Sequence, residues 1–238
     1  MRNIMTIMRR ELSSYFLSPI IYIVMALFVL IYGGFFADSF VGRNGGSASL
    51  QDSFSGLIIV FLIIIPLMTM RSLAEERKQG TEEFLMTAPV TSTEIVLGKF
   101  LGLAVSFLII MSTLLVHIII TMAFAKPELG PIFSSLIGLF LLGVTFISIG
   151  VYASSLTDNQ IIAAVVSFTT LLMLWIIEWM SNAFVGVMGQ VLGAISLMKY
   201  YTDFTKGLLD TTNIIFYLTV TGLFIFMTIR QVEARRWR

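Results

Sequence analysis

The sequence predicts an all-α integral membrane protein with six transmembrane helices. Of its 238 residues, 57% are hydrophobic and 12% are charged, and the mean hydropathy is +0.94. Soluble domains average about 45–50% apolar and ~25% charged residues, so this composition excludes an ordinary soluble domain. The apolar residues gather in six segments long enough to cross a hydrocarbon layer of about 30 Å. Charged residues concentrate near the two ends of the chain and in one long interruption, 71–99.

The N-terminal 17 residues have an amphipathic pattern. Apolar side chains recur at spacings of three and four between Ile4 and Phe16, and Arg10 and Glu11 lie off that face. The pattern predicts an interfacial helix that lies along the membrane surface over 1–17. A frayed cytosolic tail is the alternative, but it would leave the apolar stripe without anything to cover it.

The six spans are predicted at 19–36, 54–70, 100–125, 131–156, 161–180 and 213–229. Ser18 followed by Pro19 is a helix-start signal. We interpret the first span as retained, because no small-x-small cleavage pattern follows it. Pro66 should bend the second span, since proline removes a backbone hydrogen bond. Residues 38–53, rich in glycine and serine, are predicted to form a flexible outer loop.

Small residues in the fourth span predict close helix packing. They are Gly138, Gly143, Ser148, Gly150 and Ala153. Pro131 is expected as the first residue of this span. Thr157 and Gln160 have the spacing of a capping box at the start of the fifth.

His117 is the only histidine, and it falls within the third span. A metal ligand or proton relay is possible in principle, but the residue has no acidic or second histidine neighbour in the sequence. A hydrogen bond between helices is therefore the preferred interpretation.

Residues 182–198, the first part of the stretch 182–206, are apolar enough to suggest a seventh span, but three glycines interrupt them. A seventh span would place the arginine-rich C-terminus outside, against the positive-inside rule. We therefore predict an outer re-entrant helical hairpin that roofs a pathway. With this topology eleven basic residues face inward and four face outward, which puts both termini in the cytosol.

The charged stretch 71–99 predicts a helix, a short crosswise helix and another helix. Gly80 is a C-terminal stop for the first. Thr81 can cap a short helix over 81–88, which Pro89 ends. A crosswise amphipathic helix between two spans is well placed to transmit force, whereas the plainer interpretation is a solvated connecting loop.

Thr91 and Glu94 are spaced as a capping box, and they are expected to open a third helix. This helix should run through Gly98 and Lys99 directly into the third span. The charged stretch would then be joined rigidly to a span on each side.

The order of residues in this stretch resembles the E-x-x-x-G-T-x-E-x-L-x-x-x-P-x-x-x-x-E-x-x-x-G-K pattern of ABC-2 type transporter permeases. The matching positions are Glu76, Gly80, Thr81, Glu83, Leu85, Pro89, Glu94, Gly98 and Lys99. The similarity points most closely to the branch that includes the gliding-motility permease and the permease of copper-site assembly in nitrous oxide reductase. More weakly, it extends over nearly the whole chain.

The resemblance implies that 71–99 contains a cytosolic coupling helix, which docks on a separate ATPase subunit. The implied coupling residues are Glu76, Arg77, Gly80, Thr81, Glu83, Phe84, Leu85, Pro89 and Glu94. Glu82 and Phe84 stand where the family more often has leucine or isoleucine, so the docking face is slightly more polar. The resemblance also implies an outer gate, here at Gly186, Gly189, Gly193, Tyr200 and Tyr201.

No catalytic motif is present in the sequence. Cysteine and H-E-x-x-H are absent, and Phe100 follows Gly98 and Lys99 where a phosphate-binding loop needs serine or threonine. We therefore expect no enzyme site, no metal and no cofactor on this chain. ATP and Mg²⁺ are expected on the partner ATPase.

The expected partners are two copies of an ABC ATPase, a second permease chain, identical or related, and membrane lipids. An extracytoplasmic accessory protein is a further candidate partner, and nucleic acid is not expected. The predicted function is an ATP-driven permease, most simply an exporter, in the bacterial cytoplasmic membrane.

Two alternatives stay open at this point. One is a non-transporting membrane subunit that signals to an extracytoplasmic partner. The other is an ion-driven secondary transporter, although ionisable groups near the centres of the spans are nearly absent apart from His117.

Overall fold

The computed structural model describes residues 2–41, 50–81, 90–124, 128–184 and 186–236. Within these ranges the chain forms eleven helices. They are α1 Arg2–Leu17, α2 Pro19–Val41, α3 Leu50–Thr69, α4 Ala74–Lys78, α5 Ser92–Ser112, α6 Leu114–Phe124, α7 Leu129–Leu156, α8 Gln160–Ala183, α9 Val187–Ile195, α10 Leu197–Thr205 and α11 Thr211–Arg236.

Six helical segments in the described ranges are long and apolar enough to cross a membrane. They are Pro19–Ser39, Ser53–Lys78, Ser92–Phe124, Leu129–Leu156, Gln160–Ala183 and Thr211–Arg235. The third contains both α5 and α6, which meet at Thr113, whose hydroxyl donates to the Ile110 carbonyl at 2.8 Å. The predicted all-helical class and the predicted number of candidate spans are confirmed for the described residues.

α7 is the central helix of the bundle, since it packs against α3, α5, α8, α10 and α11. In its most apolar stretch 67% of the residues are buried, as in the span of α3, against 17% for α8. Its glycines allow three neighbouring elements to approach its backbone. A Cβ atom would overlap a facing side chain at each of them: Phe204 of α10 at Gly138, Phe107 of α5 at Gly143, and Thr69 of α3 at Gly150. The close packing predicted from the small residues of this span is confirmed.

Helix starts differ from the prediction in two places. The prediction of a capping box between Thr157 and Gln160 is wrong. Asn159 is the N-cap of α8, and its side-chain oxygen accepts from the Ile161 amide at 2.9 Å. Asparagine directly before the helix already supplies the acceptor that the first turn needs. α7 begins at Leu129, two residues before the expected Pro131.

The predicted outer loop 38–53 is shorter than expected on both sides. α2 continues to Val41 and α3 begins at Leu50, so the ends of the stretch are helical. Only 42–49 separates the two helices, and it lies outside the described residues.

The His117 ring packs edge-on against two aromatic rings of α2, with centroid distances of 4.7 Å to Tyr32 and 5.0 Å to Phe36. Its Nδ1 atom has no hydrogen-bond partner within the described residues. The ring contributes aromatic packing between α2 and α6.

The two ends of the bundle differ in chemistry. At the first, which we call the charged end, α1, the turn 70–81, the α7–α8 turn and the end of α11 meet. Arg71 donates to the Ser18 hydroxyl at 3.0 Å, and Arg235 donates to Asp158 at 3.2 Å. At the opposite end, which we call the hairpin end, α10 packs against the first half of α7 and the start of α11, and α9 packs against the end of α8.

The stretch 182–206 forms α9 and α10 after the end of α8, and the two short helices meet at Ser196. Nine residues rise about 14 Å at 1.5 Å each, too little to cross the hydrocarbon layer. The stretch therefore does not add a seventh span.

Candidate functional site

The candidate site lies at the charged end, around the turn that joins α3 to α5. The predicted crosswise helix 81–88 lies outside the described residues except for Thr81, so Glu83, Phe84, Leu85 and Pro89 are not described. The described flanks, 70–81 and 90–94, fix where this segment leaves and rejoins the bundle.

The first flank ends in a Schellman motif at Gly80. This residue has φ +69°, a left-handed conformation that glycine adopts without steric cost. The Thr81 amide donates to the Glu76 carbonyl at 2.9 Å, and the Gly80 amide donates to the Arg77 carbonyl at 3.0 Å. These are the two bonds of the motif, and they confirm the helix stop predicted at Gly80.

The second flank begins with the predicted capping box. The Glu94 amide donates to the Thr91 hydroxyl at 3.2 Å, and the Thr91 amide donates to the Glu94 carboxylate at 3.1 Å. The Asn3 side-chain amide of α1 also donates to both Glu94 oxygens, at 3.2 and 3.3 Å. The start of α5 is thereby tied to the N-terminal helix.

α4 is fastened to the end of α7. The Ser154 hydroxyl accepts from the amides of Leu73 and Ala74, both at 3.1 Å, and donates to the Met70 carbonyl at 3.2 Å. Arg77 donates to the backbone carbonyl of Ser155. The first flank is therefore held in a fixed position against the central helix.

Lys99 is buried at the centre of the site, with a side chain 2% exposed. Its ammonium group donates to Glu11 Oε1 at 2.6 Å, to the Ser72 carbonyl at 2.8 Å and to Glu76 Oε1 at 2.9 Å. An ammonium group has three protons, and here each meets an acceptor from a different element: α1, the turn after α3, and α4.

The charges around Lys99 balance. Two carboxylates surround one ammonium group, and Arg10 Nη2 lies 3.6 Å from the oxygen of Glu76 that Lys99 binds. Burial makes the cluster sensitive, because losing one partner leaves an uncompensated charge, at a cost of about 3–5 kcal/mol. We call Glu11, Glu76, Lys99 and Arg10 the Lys99 cluster.

Two glycines let α1 lie directly on α5. A Cβ atom at Gly98 would lie 2.7 Å from the Ile7 Cβ, and one at Gly102 would lie 2.8 Å from the Glu11 Cβ. Real Cβ atoms do not approach this closely, so both positions require glycine at this helix separation. The short separation also brings Glu11 within reach of Lys99.

α1 is also joined to α3. The Tyr15 hydroxyl donates to the Met68 carbonyl at 2.9 Å. Burial raises the pKa of Tyr15 well above its ordinary value, so the hydroxyl keeps its proton and remains a donor. Arg71 donates to the Ser18 hydroxyl just after α1 and also pairs with Glu75 at 2.6 Å, so it joins the end of α1 to α4.

Comparison with known families decides what kind of protein carries this site. A sequence profile described as ABC-2 family transporter protein matches residues 5–226. The chain belongs to the ABC-2 family. No curated protein matches it significantly. In ABC-2 transporters this domain is the permease component, which typically is not catalytic, generally works with an ABC ATPase and forms dimers.

In this ABC-2 permease, the predicted coupling residues that fall within the described ranges all lie at the charged end. Glu76, Arg77, Gly80 and Thr81 lie on the first flank and Glu94 on the second. Asn3, Glu11, Lys99 and Ser154 hold these flanks and were not predicted as site residues. The signals available for them were the G-K pair after the capping box and the position of Glu11 off the apolar face of α1.

The residues predicted for the outer gate lie at the hairpin end of the permease. Gly186 has φ +92°, and a Cβ at Gly189 would overlap the Phe184 carbonyl. The Ser181 hydroxyl donates to the Gly189 carbonyl at 3.0 Å, and a Cβ at Gly193 would lie 2.9 Å from the same hydroxyl oxygen. These glycines allow α9 to fold back closely on α8.

The two tyrosines of the predicted gate differ in environment. The Tyr200 ring stacks on Phe216 at 4.0 Å, and its hydroxyl donates to the Ala194 carbonyl at 3.3 Å. Tyr201 is buried, and its hydroxyl has no hydrogen-bond partner in the described part of the chain. Both residues attach α10 to the bundle.

Within the described ranges, no three His, Cys, Asp or Glu side chains lie close enough together to hold a metal ion.

Proposed function

We propose that this ABC-2 protein is the permease subunit of an ATP-driven exporter. It would lie in the bacterial cytoplasmic membrane with both termini in the cytosol, and segment 81–88 would dock on a separate ATPase. The supporting observation is the way the two flanks are held. Both ends of this segment leave helices that are fixed to the bundle by defined caps and ion pairs.

A segment held in this way can pass on a displacement. In the proposed cycle, two ATPase subunits bind Mg²⁺ and ATP, close on each other, and move 81–88 in each of two permease chains. Because α3 and α5 continue directly from the flanks, both spans would tilt together. ATP hydrolysis would return the assembly to its starting state.

The proposed exit lies at the hairpin end. There α9 and α10 would act as a re-entrant roof over the pathway, with Gly186, Gly189, Gly193, Tyr200 and Tyr201 forming the gate. α10 is packed on the central helix through Phe204 at Gly138, so movement of α7 would reach the roof directly. The resemblance of segment 71–99 to the gliding-motility and copper-assembly branch is the reason for proposing a role in the cell envelope.

A non-transporting subunit that signals across the membrane is the second candidate. It is favoured by an exposed apolar row on α9, where Val187, Val191 and Ile195 are 77%, 52% and 51% exposed at four-residue spacing. An extracytoplasmic partner seated on this row would receive the same movement of α7.

Charge reversal in the docking segment tests the proposal. In membranes that contain the native ATPase, Glu83→Arg should abolish permease-dependent ATP hydrolysis while insertion and folding stay normal. The control is Glu128→Arg, at the exposed N-cap of α7, where the side chain makes no cap bond. Normal ATP hydrolysis and transport with Glu83→Arg would contradict docking through this segment.

A further inference from the structure

Three buried polar groups in the half of the bundle near the hairpin end have no hydrogen-bond partner among the described residues. They are the Tyr32 hydroxyl of α2, the Tyr201 hydroxyl of α10 and the Nδ1 atom of His117 on α6. Tyr32 and Tyr201 are 0% and 1% exposed. A buried hydroxyl normally has a partner, because it otherwise gives up its hydrogen bonds to water and gains none in return. These three atoms can therefore bind a further polar group.

The three groups adjoin one another. The His117 ring meets the Tyr32 ring edge-on, with a centroid distance of 4.7 Å. Burial and, after it, the nearby Tyr32 hydroxyl raise the pKa of Tyr201 above its ordinary value, so the two hydroxyls lie close together. Tyr32 thus stands between the other two groups. We call Tyr32, Tyr201 and His117 the hydroxyl site.

The walls of the hydroxyl site are aromatic and uncharged. Tyr32 stacks on Phe28 and Phe54 with centroid distances of 6.3 and 6.2 Å, and the His117 ring also meets Phe36 at 5.0 Å. No charged side chain among the described residues bonds to the three unpaired atoms. A charged ligand would lie here without a counter-ion, at a high cost in desolvation. The site therefore suits an uncharged group that forms hydrogen bonds.

The hydroxyl site borders the hydrocarbon layer. Tyr32 and His117 lie at the same depth, each about 10 Å along its helix from the end of its span at the hairpin end. Leu30 and Val116 beside them are exposed on the surface of the bundle, and His117 itself is half-buried. A molecule that reaches the junction of α2 and α6 from this side comes from the bilayer and has an apolar body.

We infer that Tyr32, Tyr201 and His117 bind the hydroxyl-bearing head of an uncharged amphiphile of the diacylglycerol type, which enters from the bilayer between α2 and α6. A hydroxyl both donates and accepts, so it can bond to two tyrosine hydroxyls and one imidazole nitrogen. The acyl chains would lie along the exposed apolar faces of α2 and α6. The inference does not rest on the proposed function, since an exporter and a signalling subunit could each carry this site.

Photolabelling of the full-length permease with its ATPase in phosphatidylcholine liposomes can test the inference. The probe is a diacylglycerol with a diazirine in one acyl chain, near the head, and an alkyne for detection. Two further probes have the same chains. In one a methyl ether replaces the free hydroxyl, and the other is the phosphatidic acid, which has a charged head. Peptide mapping by mass spectrometry locates the label.

We expect the diacylglycerol probe to label peptides of α2 and α6, and unlabelled diacylglycerol to compete for this labelling. The methyl ether should label the same peptides roughly fivefold less, because it cannot donate a hydrogen bond. The phosphatidic acid should label them less still, because its charge would be buried. Equal labelling by all three probes would show contact with bulk lipid only and would overturn the inference. So would the absence of label on α2 and α6, because the three atoms would then bind water only.

Conservative variants test the three groups one at a time. Tyr32→Phe and Tyr201→Phe each remove one hydroxyl, and His117→Phe keeps an aromatic ring and removes the nitrogens. Each should lower diacylglycerol labelling roughly fivefold, which corresponds to the loss of one hydrogen bond. In detergent without the amphiphile, none of these changes removes a bond of the three unpaired atoms to the described part of the chain, so the variants should fold.

Tyr200→Phe is the matched control. It removes a hydroxyl from the neighbouring residue of α10, but this hydroxyl donates to the Ala194 carbonyl and does not belong to the hydroxyl site. Labelling of Tyr200→Phe should equal that of wild type. If Tyr32→Phe and Tyr201→Phe label as strongly as Tyr200→Phe, the tyrosine hydroxyls do not bind the head group and the inference is wrong.

Discussion

The hydroxyl oxygen of Ser154 lies 3.1 Å from the amide nitrogen of Leu73 and accepts its hydrogen bond. The same oxygen accepts from the next amide, that of Ala74, where α4 begins. Leu73 is the N-cap of α4 and has no side chain that can accept these bonds. The cap of α4 is therefore supplied by α7, more than 70 residues later in the chain.

Replacing Ser154 by alanine should lower the free energy of unfolding by about 1–3 kcal/mol, because two buried amides lose their acceptor. Ser155→Ala is the matched control, since the Ser155 hydroxyl donates only to the Tyr152 carbonyl of its own helix among the described residues. Denaturant unfolding in detergent micelles would compare the two variants. An equal loss in both would argue against capping from α7.

Lys99→Met should lower the free energy of unfolding by about 3–5 kcal/mol, because the carboxylates of Glu11 and Glu76, only 14% and 12% exposed, lose the lysine between them and Arg10 reaches Glu76 alone. Lys199→Met makes the same chemical change at an exposed site and should stay within about 0.5 kcal/mol of wild type. Adding Glu11→Gln to Lys99→Met should recover part of the loss, since one buried charge is removed. Thermal unfolding measures all three, and a double variant less stable than Lys99→Met would contradict this account.

Gly80→Val should weaken the turn that ends the first flank. A branched side chain in the left-handed region costs about 1–2 kcal/mol, whereas asparagine tolerates this region. Hydrogen exchange of the Thr81 amide, which donates to Glu76, should therefore speed up roughly tenfold in Gly80→Val and much less in Gly80→Asn. Equal protection in the two variants would show that the Schellman motif does not hold the turn.

Two buried tyrosines should respond with opposite signs to removal of their hydroxyl groups. The Tyr217 hydroxyl donates to the Leu197 carbonyl at 2.7 Å, so Tyr217→Phe should cost about 1–2 kcal/mol. Burial raises the pKa of Tyr201, so its hydroxyl is neutral, and it finds no partner among the described residues. Tyr201→Phe should then be neutral or stabilising in the same unfolding assay. A clear loss of stability in Tyr201→Phe would indicate a bound water or ligand at that hydroxyl.

Features set by three to five neighbouring residues were predictable from the sequence. The helix stop at Gly80 and the capping box of Thr91 and Glu94 depend on local backbone geometry, and both are confirmed. The close approach at Gly138, Gly143 and Gly150 was also predictable, because only small residues permit it. The error at Asn159 arose because two caps competed within four residues, and a spacing rule does not rank them.

Contacts between distant parts of the chain were not predictable in the same way. In the sequence, Lys99 looks like an ordinary charged residue just before an apolar segment. Its burial depends on α1 covering it. Ser154 looks like one more small residue in a membrane helix, although it caps α4. Such roles follow from which helices meet, and the periodicity of a single helix contains no information about its neighbours.

The 88 positions between Glu11 and Lys99 also have a consequence for how the protein is made. α1 leaves the ribosome before α5, and its docking partner on α5 follows only after roughly 4–18 s at a translation rate of about 5–20 residues per second. During that interval the apolar stripe of α1 has no protein surface to cover it. We expect the apolar stripe of α1 to be covered by the membrane surface during this interval. When the third span inserts, Lys99 becomes available and joins α1 to the rest of the chain.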